Sequence, residues 1–493
     1  MECPPVTYSF FNPSTVLIVV HLCVVLAVSF RVIMQRPAPG VALAWLFLVA
    51  GVPILGGIAY LVLGERRISG RRTRRIARLR MDADKLTRAA IDEGLTEVNW
   101  PEHPEAAAAM NRLGLTLTGV PTVHGCGGKL YSSTREVLEK IAEDVRGASK
   151  SVLMEFYIWN EGGAADDVLE AVIDAARRGV VCRILVDHVG AAPWWKGSQP
   201  RRLREAGVHV QQALPVNLFY AMISRNDLRL HRKIVVIDGE IAWTGSMNMV
   251  DPRFFKQEAN VGEWVDAMVR TEGSVVAPLA MTMIGDWMVE TGEPIESIIE
   301  SAQLKLVHPQ GPADVQVIPT GPGQGEDGIL QMLLAIINAA RKELVLTTPY
   351  FVPDESMLRA LRGAAARGVR VDLVVPEKLD SRPTHHASRS YYDALLDAGV
   401  RIHLYNKGLL HTKAITADRE ISMFGTVNLD MRSIWINYEV ALFIYGPLFG
   451  NMLHALQEFY IGDSILLDPG EWRRRSGGQR FLENTFRLLS PLL

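Results

Sequence analysis

Cysteine is scarce in this 493-residue sequence, and so is net charge. The four cysteines, Cys3, Cys23, Cys126 and Cys182, lack the spacing of a metal site and are too few for a disulfide framework. This usage is typical of a protein in a reducing compartment. The formal charge of −2 gives no overall attraction to nucleic acid, so a nucleic-acid partner is not expected.

Two apolar runs stand near the N-terminus. Residues 14–30 are broken only by His21, and residues 41–64 contain no charge. Either run can cross a bilayer, the first only just, although the first alone would also fit a buried core helix. A signal peptide is disfavoured, because no basic residue precedes the first run and no small-residue cleavage site is evident. We therefore expect a transmembrane helical hairpin in residues 1–65, with helices at about 14–30 and 41–63.

Arginine is dense directly after the second run. The cluster consists of Arg66, Arg67, Arg71, Arg72, Arg74, Arg75, Arg78 and Arg80. The loop between the runs has only Arg31 and Arg36, so the positive-inside rule places the arginine-rich side, and everything after it, in the cytoplasm. A position beside an apolar run favours anionic lipid headgroups over nucleic acid. Residues 66–111 are interpreted as an arginine-rich juxtamembrane and helical linker.

The rest of the sequence contains one motif twice. The first copy is His231, Lys233, Asp238, Gly245, Ser246 and Asn248, and the second is His411, Lys413, Asp418, Gly425, Thr426 and Asn428. All six positions agree in type and spacing. Strand, helix and strand precede each copy with short links, which indicates layered α/β domains. The domain boundaries drawn from this repeat are 112–300 and 301–493.

Strand geometry predicts where the motif side chains point. In each copy the histidine and the lysine are two residues apart, so both project to one face of a strand. A two-residue hairpin turn at Asp238 would place Ser246 opposite His231, and the same construction places Thr426 opposite the second histidine. The aspartates then lie at the turns, off the histidine face, which favours an architectural role for Asp238 and for Asp418.

The residue types in the motif suit chemistry at phosphorus. Lysine ammonium and asparagine amide groups donate hydrogen bonds to phosphate oxygens. Histidine can attack phosphorus or carry a proton near neutral pH, so two copies supply one nucleophile and one general acid. A duplicated strand with a satisfied histidine is the alternative, and the matched spacing of two complete copies disfavours it.

One carboxylate follows each motif at a matching position. Asp266 and Glu439 each precede a glycine by seven residues. A carboxylate on the far ring nitrogen would fix the histidine tautomer and support a cationic imidazole. A surface carboxylate at the start of a strand is the alternative interpretation, and Glu258 and Glu263 are the other candidates in the first half.

These observations define two sets of candidate site residues. The candidate catalytic residues are His231, Lys233, Asp238, His411, Lys413, Asp418, Asp266 and Glu439. The candidate phosphate ligands are Lys233, Lys413, Asn248, Asn428, Ser246 and Thr426. No set of candidate metal ligands accompanies them.

The paired H-x-K-x4-D and G-[ST]-x-N motifs resemble those of the phospholipase D superfamily. The sequences around them, residues 245–254 and 425–433, closely resemble those of bacterial cardiolipin synthases. The resemblance extends over nearly the whole sequence. It implies an α/β fold in which two tandem phospholipase D-like α/β/α sandwich domains face one cleft. It also implies that neither a metal nor a cofactor is needed.

The same resemblance implies an activity and a location. A phosphatidyl group would pass between two phosphatidylglycerol molecules, giving cardiolipin and glycerol through a phosphatidyl-histidine intermediate. By the habit of the family, His231 would be the nucleophile and His411 the acid/base. The enzyme would be a multi-pass protein of the bacterial inner membrane with phosphatidylglycerol and membrane lipids as partners. A hydrolytic phospholipase D, a nuclease and a lipid-tethered binding protein without activity remain as alternatives.

Overall fold

The computed structural model describes residues 13–37, 39–52, 54–64, 70–216, 227–323 and 327–492. The chain divides into a small unit within Met1–Ser69 and a large unit formed by Gly70–Pro215 and Leu228–Leu493. Both copies of the motif belong to the large unit, which therefore contains the whole candidate site.

Helices make up the described part of the small unit. They are α1 (Pro13–Gln35), α2 (Pro39–Gly51) and α3 (Leu55–Ala59), which continues into a turn of π-helix at Tyr60–Gly64. Val28 and Val32 of α1 pack against Val49 of α2. Among the described residues, α1 alone is long and apolar enough to cross a membrane, judged by length and composition.

The second apolar run differs from the single helix expected over residues 41–63. The structure divides it into the 13-residue helix α2 and the short helix α3. The sequence has a proline at position 53, between these two helices. Because proline lacks the backbone N–H that an uninterrupted helix uses, it is expected to break the run there.

The first half of the large unit begins with two helices, α4 (Gly70–Asp92) and α5 (Glu105–Thr118). Its strands are β1 (Thr122–Tyr131), β2 (Ser151–Phe156), β3 (Val181–Asp187), β4 (His209–Ala213), β5 (Ile234–Ile237), β6 (Ile241–Gly245), β7 (Trp264–Val265) and β8 (Met268–Gly273). Its further helices are α6 (Thr134–Gly147), α7 (Ala164–Arg177), α8 (Ala192–Lys196), α9 (Gln199–Glu205), α10 (Val276–Thr291) and α11 (Ile295–Ser301).

The second half repeats this pattern. Its strands are β9 (Ala313–Thr320), β10 (Glu343–Thr347), β11 (Phe351–Val352), β12 (Arg370–Pro376), β13 (Arg401–Tyr405), β14 (Leu409–Leu410), β15 (Ala414–Ala417), β16 (Ile421–Gly425), β17 (Leu429–Asp430), β18 (Glu439–Tyr445) and β19 (Ser464–Leu466). Its helices are α12 (Gly328–Ala339), α13 (Glu355–Ala366), α14 (Arg382–Arg389), α15 (Tyr392–Asp397), α16 (Met431–Trp435), α17 (Pro447–Gly462), α18 (Pro469–Arg473) and α19 (Gly477–Arg487).

One sheet of fifteen strands runs through both halves. Its order is β19-β13-β12-β10-β15-β16-β18-β9-β1-β8-β6-β5-β2-β3-β4, and the halves join where β1 and β9 pair antiparallel. Side chains alternate between the two faces of the sheet. In β2, Val152 and Met154 pack with α6 and α7, whereas Leu153 packs with α10. This layering agrees with the predicted tandem α/β domains.

Each motif lies at a hairpin whose turn has three residues, not two. Ile237 pairs with Ile241 in the first hairpin, which leaves Asp238, Gly239 and Glu240 in the turn. The second hairpin repeats the geometry, because Ala417 pairs with Ile421. The expected register, with Ser246 opposite His231 and Thr426 opposite His411, is therefore wrong by one residue. Asp238 adopts a left-handed conformation (φ 54°), which aspartate tolerates better than most residues.

The arginine cluster after the apolar runs partly serves the fold. Arg72 of α4 donates to Glu290 at 2.6 Å and to the Tyr438 hydroxyl at 3.2 Å. Arg75 donates to the carbonyl groups of Val289 and Glu290 at the end of α10. At least these two arginines hold α4 to the rest of the large unit. The interpretation of the cluster as a lipid-binding patch did not predict this role.

Candidate active site

The two histidines occupy equivalent backbone positions in the two halves. Each lies in an extended segment just before its hairpin, not on the hairpin strand itself. The backbone N–H of His231 donates to the carbonyl of Tyr438, and that of His411 donates to the carbonyl of Val265, both at 2.8 Å. The residue after each acceptor is one of the two carboxylates noted in the sequence. Backbone pairing thus brings each histidine beside a carboxylate of the other half.

The side chains complete this exchange between the halves. His231 Nδ1 lies 2.8 Å from Glu439 Oε2, and His411 Nδ1 lies 2.8 Å from Asp266 Oδ1. An ionised carboxylate can only accept, so each Nδ1 carries the proton and each Nε2 has a free lone pair. The first-half carboxylate in contact with a histidine is Asp266, whereas Glu258 and Glu263 were the alternatives.

A hydroxyl group donates a hydrogen bond to each of the two carboxylates. Thr426 Oγ1 donates to Glu439 Oε2, and Ser246 Oγ donates to Asp266 Oδ1, both at 2.6 Å. A hydroxyl has one proton to donate. Ser246 and Thr426 were predicted as phosphate ligands. Their protons serve the carboxylates in this structure, so a contact with phosphate stays a prediction.

The two motif lysines are fully buried, and each contacts the backbone of its own histidine. Lys233 Nζ donates to the carbonyl of His231 at 2.7 Å, and Lys413 Nζ donates to the carbonyl of His411 at 2.5 Å. An ammonium group has three donors, so this bond leaves each lysine with further hydrogen-bonding capacity. The lysines therefore provide positive charge and donors close to both rings.

The two asparagines are also buried, and both line the cleft between the halves. Asn248 Oδ1 accepts from the backbone N–H of Ile158 at 3.1 Å, which directs the amide nitrogen elsewhere. Asn428 Oδ1 is buried without a hydrogen-bond partner among the described residues. A buried amide with unused capacity is costly unless a ligand completes its bonds, so this position fits a substrate contact.

Both histidines and both asparagines line a single cleft of about 670 Å³. Tyr157 packs edge-on against the His231 ring with centroids 5.0 Å apart, and Trp264 lies 4.3 Å from the His411 ring. The remaining lining includes Tyr350, Phe254, Phe255, Lys256, Arg229, Asp430, Arg432 and Asn437. The cleft is large enough for a phosphodiester group together with part of its substituents.

Burial keeps both histidines neutral near pH 7. It lowers the pKa of His231 and of His411 to about 4. The partner carboxylates oppose this effect, while the charges of Lys233 and Lys413 add to it. The expected cationic imidazole is therefore not the resting state. An arriving anionic phosphate would raise the pKa of whichever histidine is to act as the acid.

Burial also lowers the pKa of both lysines, to about 8 for Lys233 and about 7 for Lys413. The carboxylates behave in the opposite way. Burial alone would raise the pKa of Asp266 and of Glu439, but the adjacent histidine and lysine lower it overall. The carboxylates are thus ionised at neutral pH, and the lysines are close to losing a proton.

The motif aspartates are used by the turns. Asp238 accepts backbone N–H bonds from Ser149, Lys150 and Ser151 at 2.8–2.9 Å, and Asp418 accepts the equivalent bonds from Arg341, Lys342 and Glu343. These bonds tie each hairpin turn to the segment that leads into the neighbouring strand. Both aspartates were included in the candidate catalytic set, but they lie at the end of the hairpin away from the histidines.

Comparison with known proteins agrees with this geometry. A family model described as "Cardiolipin synthase, PLD-like domain" matches twice, at residues 141–267 and 333–460. Cardiolipin synthase A of Pectobacterium carotovorum subsp. carotovorum is 41% identical over 480 residues, covering 97% of this chain and 98% of that protein. The corresponding protein of Edwardsiella ictaluri is 42% identical over 467 residues, covering 95% and 96%.

This chain belongs to the cardiolipin synthase family of the phospholipase D superfamily. A second family model, "Phospholipase_D-nuclease N-terminal", matches residues 23–65. Among solved structures, a phosphatidylserine synthase of Haemophilus influenzae Rd KW20 matches with a TM-score of 0.58 and 14% identity, covering 78% of this chain and 99% of that chain. That likeness supports the shared fold of the cardiolipin synthase family and this neighbour.

Sequence reasoning missed the exchange of carboxylates in this cardiolipin synthase. Matched spacing singled out Asp266 and Glu439 but could not say which histidine each one contacts, because that depends on how the halves pack. It also missed Tyr157 and Trp264, which lie against the two rings. Trp264 stands two residues before Asp266, so alternation along a strand was an available signal for it.

Proposed function

We propose that this protein is a cardiolipin synthase that transfers a phosphatidyl group from one phosphatidylglycerol to a hydroxyl of another. The observation that carries the proposal is the cleft in which two histidines each hold a carboxylate of the opposite half. Two equivalent imidazoles that line one cleft suit a double displacement, in which the neutral ring is the nucleophile and the ring that gains a proton is the acid/base.

In the first step, His231 Nε2 attacks the phosphorus of the donor lipid. The bond between phosphorus and the glycerol oxygen breaks. His411, which takes up a proton from solvent at Nε2 when the anionic phosphate binds and raises its pKa, gives that proton to the oxygen. Glycerol leaves and a phosphatidyl-histidine remains. The order of the two histidines follows the resemblance to the family, since their local geometry is closely similar.

In the second step, a glycerol hydroxyl of the acceptor lipid attacks the phosphorus. His411 takes the hydroxyl proton, the bond from phosphorus to His231 breaks, and cardiolipin is released. Lys233, Lys413 and the amides of Asn248 and Asn428 hold the phosphate oxygens as negative charge redistributes, as preorganised donors do in other transfer enzymes. Glu439 and Asp266 keep both rings in the reactive tautomer.

We further infer that the enzyme is an integral membrane protein with its catalytic unit on the cytoplasmic side of a bacterial inner membrane. The length and apolarity of α1 and the arginine excess after the second apolar run support this orientation. A cysteine placed at the exposed Arg135 should react with a membrane-impermeant thiol reagent only after spheroplasts are permeabilised. Labelling of intact spheroplasts would contradict the orientation.

The activity is tested with purified full-length protein in vesicles of labelled phosphatidylglycerol, without added metal. We expect cardiolipin and free glycerol in equal amounts from the wild type. Loss of the general acid in His411→Ala should lower the rate by about 10²–10⁴. His231→Ala should be at least as slow, because no covalent path remains.

Each alternative activity has its own product in this assay. Phosphatidate without cardiolipin would identify a hydrolase and contradict the proposal. No turnover by the wild type in several detergents and at several pH values would also contradict it and would favour a lipid-binding protein. Unchanged turnover in both histidine variants would show that the chemistry occurs elsewhere.

A further inference from the structure

The two ends of the cleft differ although the catalytic groups are repeated. The backbone pairing defines equivalent positions: Leu230 bridges Tyr438 in one half, and Leu410 pairs with Val265 in the other. The residue before Tyr438 is Asn437, on the side of His231. The residue before Val265 is Trp264, on the side of His411. The end near His231 is therefore polar where its counterpart is aromatic.

A second equivalent position differs in charge. Two residues before the catalytic histidine, the first motif has Arg229 and the second has Leu409. Arg229 lines the cleft, whereas Leu409 is fully buried and packs with Val261 and Trp264. The first half thus contributes a cation at a place where the second half contributes only apolar contact.

The loop that follows the second motif adds another cation to the same wall. Arg432 lines the cleft, four residues after Asn428. In the equivalent loop of the first half, Arg253 donates to both oxygens of Asp251. Arg253 is not among the residues that line the cleft, so the arginine of the second loop is the one at the cleft.

The two arginines are fixed to neighbouring points of one segment. The carbonyl of Arg229 accepts from the N–H of Tyr438 at 2.8 Å, and that of Arg432 accepts from the N–H of Asn437 at 2.9 Å. Both guanidinium groups also act on the same hydroxyl. Burial raises the pKa of Tyr157, and the charges of Arg229 and Arg432 both oppose that rise. Tyr157, Arg229 and Arg432 all line the cleft, so both cations face the same cavity as this hydroxyl.

An unused polar atom lies at the same place. Asn437 is 7% exposed and lines the cleft, and its Nδ2 donates to Glu439 at 3.2 Å. Its Oδ1 has no hydrogen-bond partner in the described part of the chain. A buried acceptor of this kind fits a hydroxyl donor of a ligand. Asn437 together with the two arginines therefore points to a ligand with both a hydroxyl group and a negative charge.

The proposed reaction brings a second group with a hydroxyl and a negative charge into the cleft, in addition to the donor phosphate. The acceptor phosphatidylglycerol has a phosphodiester three carbons from its reacting hydroxyl, with a second hydroxyl between them. Lys233, Lys413 and the two motif asparagines already serve the donor phosphate. A second anion in the same cleft needs cations of its own, and arginine is well suited to phosphate oxygens because it donates in a fork.

We propose that Arg229 and Arg432 form a second phosphate site, which binds the phosphodiester of the acceptor lipid. Asn437 Oδ1 accepts a hydrogen bond from the acceptor's non-reacting hydroxyl. This site rests on the proposed transferase function and adds the basis of acceptor choice: it favours a glycerol that bears a phosphate over free glycerol or water. No new bond-making step is involved, since the site acts by binding and orientation.

One assay separates acceptor binding from donor chemistry. Full-length enzyme receives phosphatidylglycerol vesicles and excess labelled glycerol, and two products are measured together. Cardiolipin requires a phosphate-bearing acceptor, whereas labelled phosphatidylglycerol arises when free glycerol takes the phosphatidyl group. In Arg229→Gln and Arg432→Gln, the ratio of cardiolipin to labelled phosphatidylglycerol should fall by about 10- to 100-fold, the usual effect of removing a charge-assisted hydrogen bond.

Two sets of control variants test whether the change in product ratio is merely a structural effect. Arg253→Gln removes an arginine from the equivalent loop of the first half and should leave the ratio unchanged. Arg229→Lys and Arg432→Lys, which keep the charge but lose the fork, should restore part of the ratio. Thermal unfolding of each variant shows whether it is folded, and the ratio is read only among molecules that still turn over.

Two results would overturn the second phosphate site. A parallel loss of both products would mean that the arginines act on the donor or on folding. An unchanged ratio in both glutamine variants would mean that they do not contact the acceptor. A wild type that forms neither product would instead contradict the proposed function, and the second site with it.

Discussion

At the scale of single residues, the site works through groups whose ordinary charge is suppressed by burial. The pKa of both histidines is lowered to about 4, so neutral imidazoles are the resting state. Their Nδ1 protons go to Glu439 and Asp266, which leaves the Nε2 lone pairs available for attack or proton transfer. Substrate charge, not the enzyme alone, therefore sets which ring becomes cationic.

The carboxylates should matter through the tautomer. In Glu439→Gln, the amide can donate to His231 Nδ1 and so move the ring proton to Nε2, where it blocks the lone pair. We expect kcat to fall by about 10⁴, as it does when the aspartate of a hydrolase triad becomes asparagine. Steady-state cardiolipin formation measures this. A Glu439→Gln enzyme within tenfold of wild type would contradict the tautomer argument.

The lysines predict the alkaline limb of the pH profile. Burial lowers the pKa of Lys413 to about 7 and that of Lys233 to about 8, whereas free lysine keeps its proton to about pH 10.4. As pH rises through 7–9, both ammonium groups lose their charge and with it their attraction for phosphate. We expect kcat/KM for phosphatidylglycerol to fall across this range. A profile that stays level to pH 10 would contradict the lowered lysine pKa values.

At the scale of elements, the hairpins position the histidines and the aspartates hold the hairpins. Asp238 receives three backbone N–H bonds at one turn, and Asp418 receives the same set at the other. Neither side chain reaches the cleft. Their place in the repeated motif is therefore explained by the turn geometry.

Asp238→Ala separates stability from catalysis. The substitution leaves backbone N–H groups of residues 149–151 without their acceptor, which should lower the free energy of unfolding by about 1–3 kcal/mol. At a temperature where the variant is folded, kcat should stay within a few-fold of wild type. Thermal unfolding and turnover are measured on one preparation. A large loss of kcat with an unchanged unfolding temperature would assign Asp238 a chemical role instead.

Helix α4 offers a matched pair of arginines. Arg72 is bonded to Glu290, whose side chain is 9% exposed, and to the Tyr438 hydroxyl, whereas Arg74 donates to the carbonyl of Gly70 on its own helix. Arg72→Ala should lower the unfolding temperature, since it leaves a buried carboxylate without its charged partner. Arg74→Ala should leave that temperature unchanged. Equal effects would mean that Arg72 does not anchor α4.

At the scale of the whole molecule, much of the fold followed from the repeat. Two motifs with matched spacing, each preceded by strand, helix and strand, predicted two tandem α/β domains. The joining of both halves in one fifteen-stranded sheet through β1 and β9 was not predictable, because pairing between distant strands leaves little trace in local sequence. The three-residue turns were missed because Asp238 and Asp418 adopt left-handed conformations that Asp-Gly in a two-residue turn would also show.

The site was predictable in its residue types but not in its connections. Histidine, lysine and asparagine at fixed spacing identified the chemistry. The crossing of Asp266 to His411 and of Glu439 to His231 arises from domain packing, which spacing alone does not encode. The hydroxyls of Ser246 and Thr426 fit phosphate by type, yet burial beside a carboxylate decided their partners.

The covalent intermediate is the most direct test of the central claim. Wild-type enzyme is mixed with phosphatidylglycerol, quenched within one turnover in alkali and digested, and the peptides are examined by mass spectrometry. The account predicts a phosphatidyl group on His231, absent in His231→Ala and much slower to form in His411→Ala, which lacks the acid for the leaving glycerol. A phosphatidyl group on His411 would reverse the two roles. Continued cardiolipin formation with neither histidine modified would contradict the shared two-histidine site.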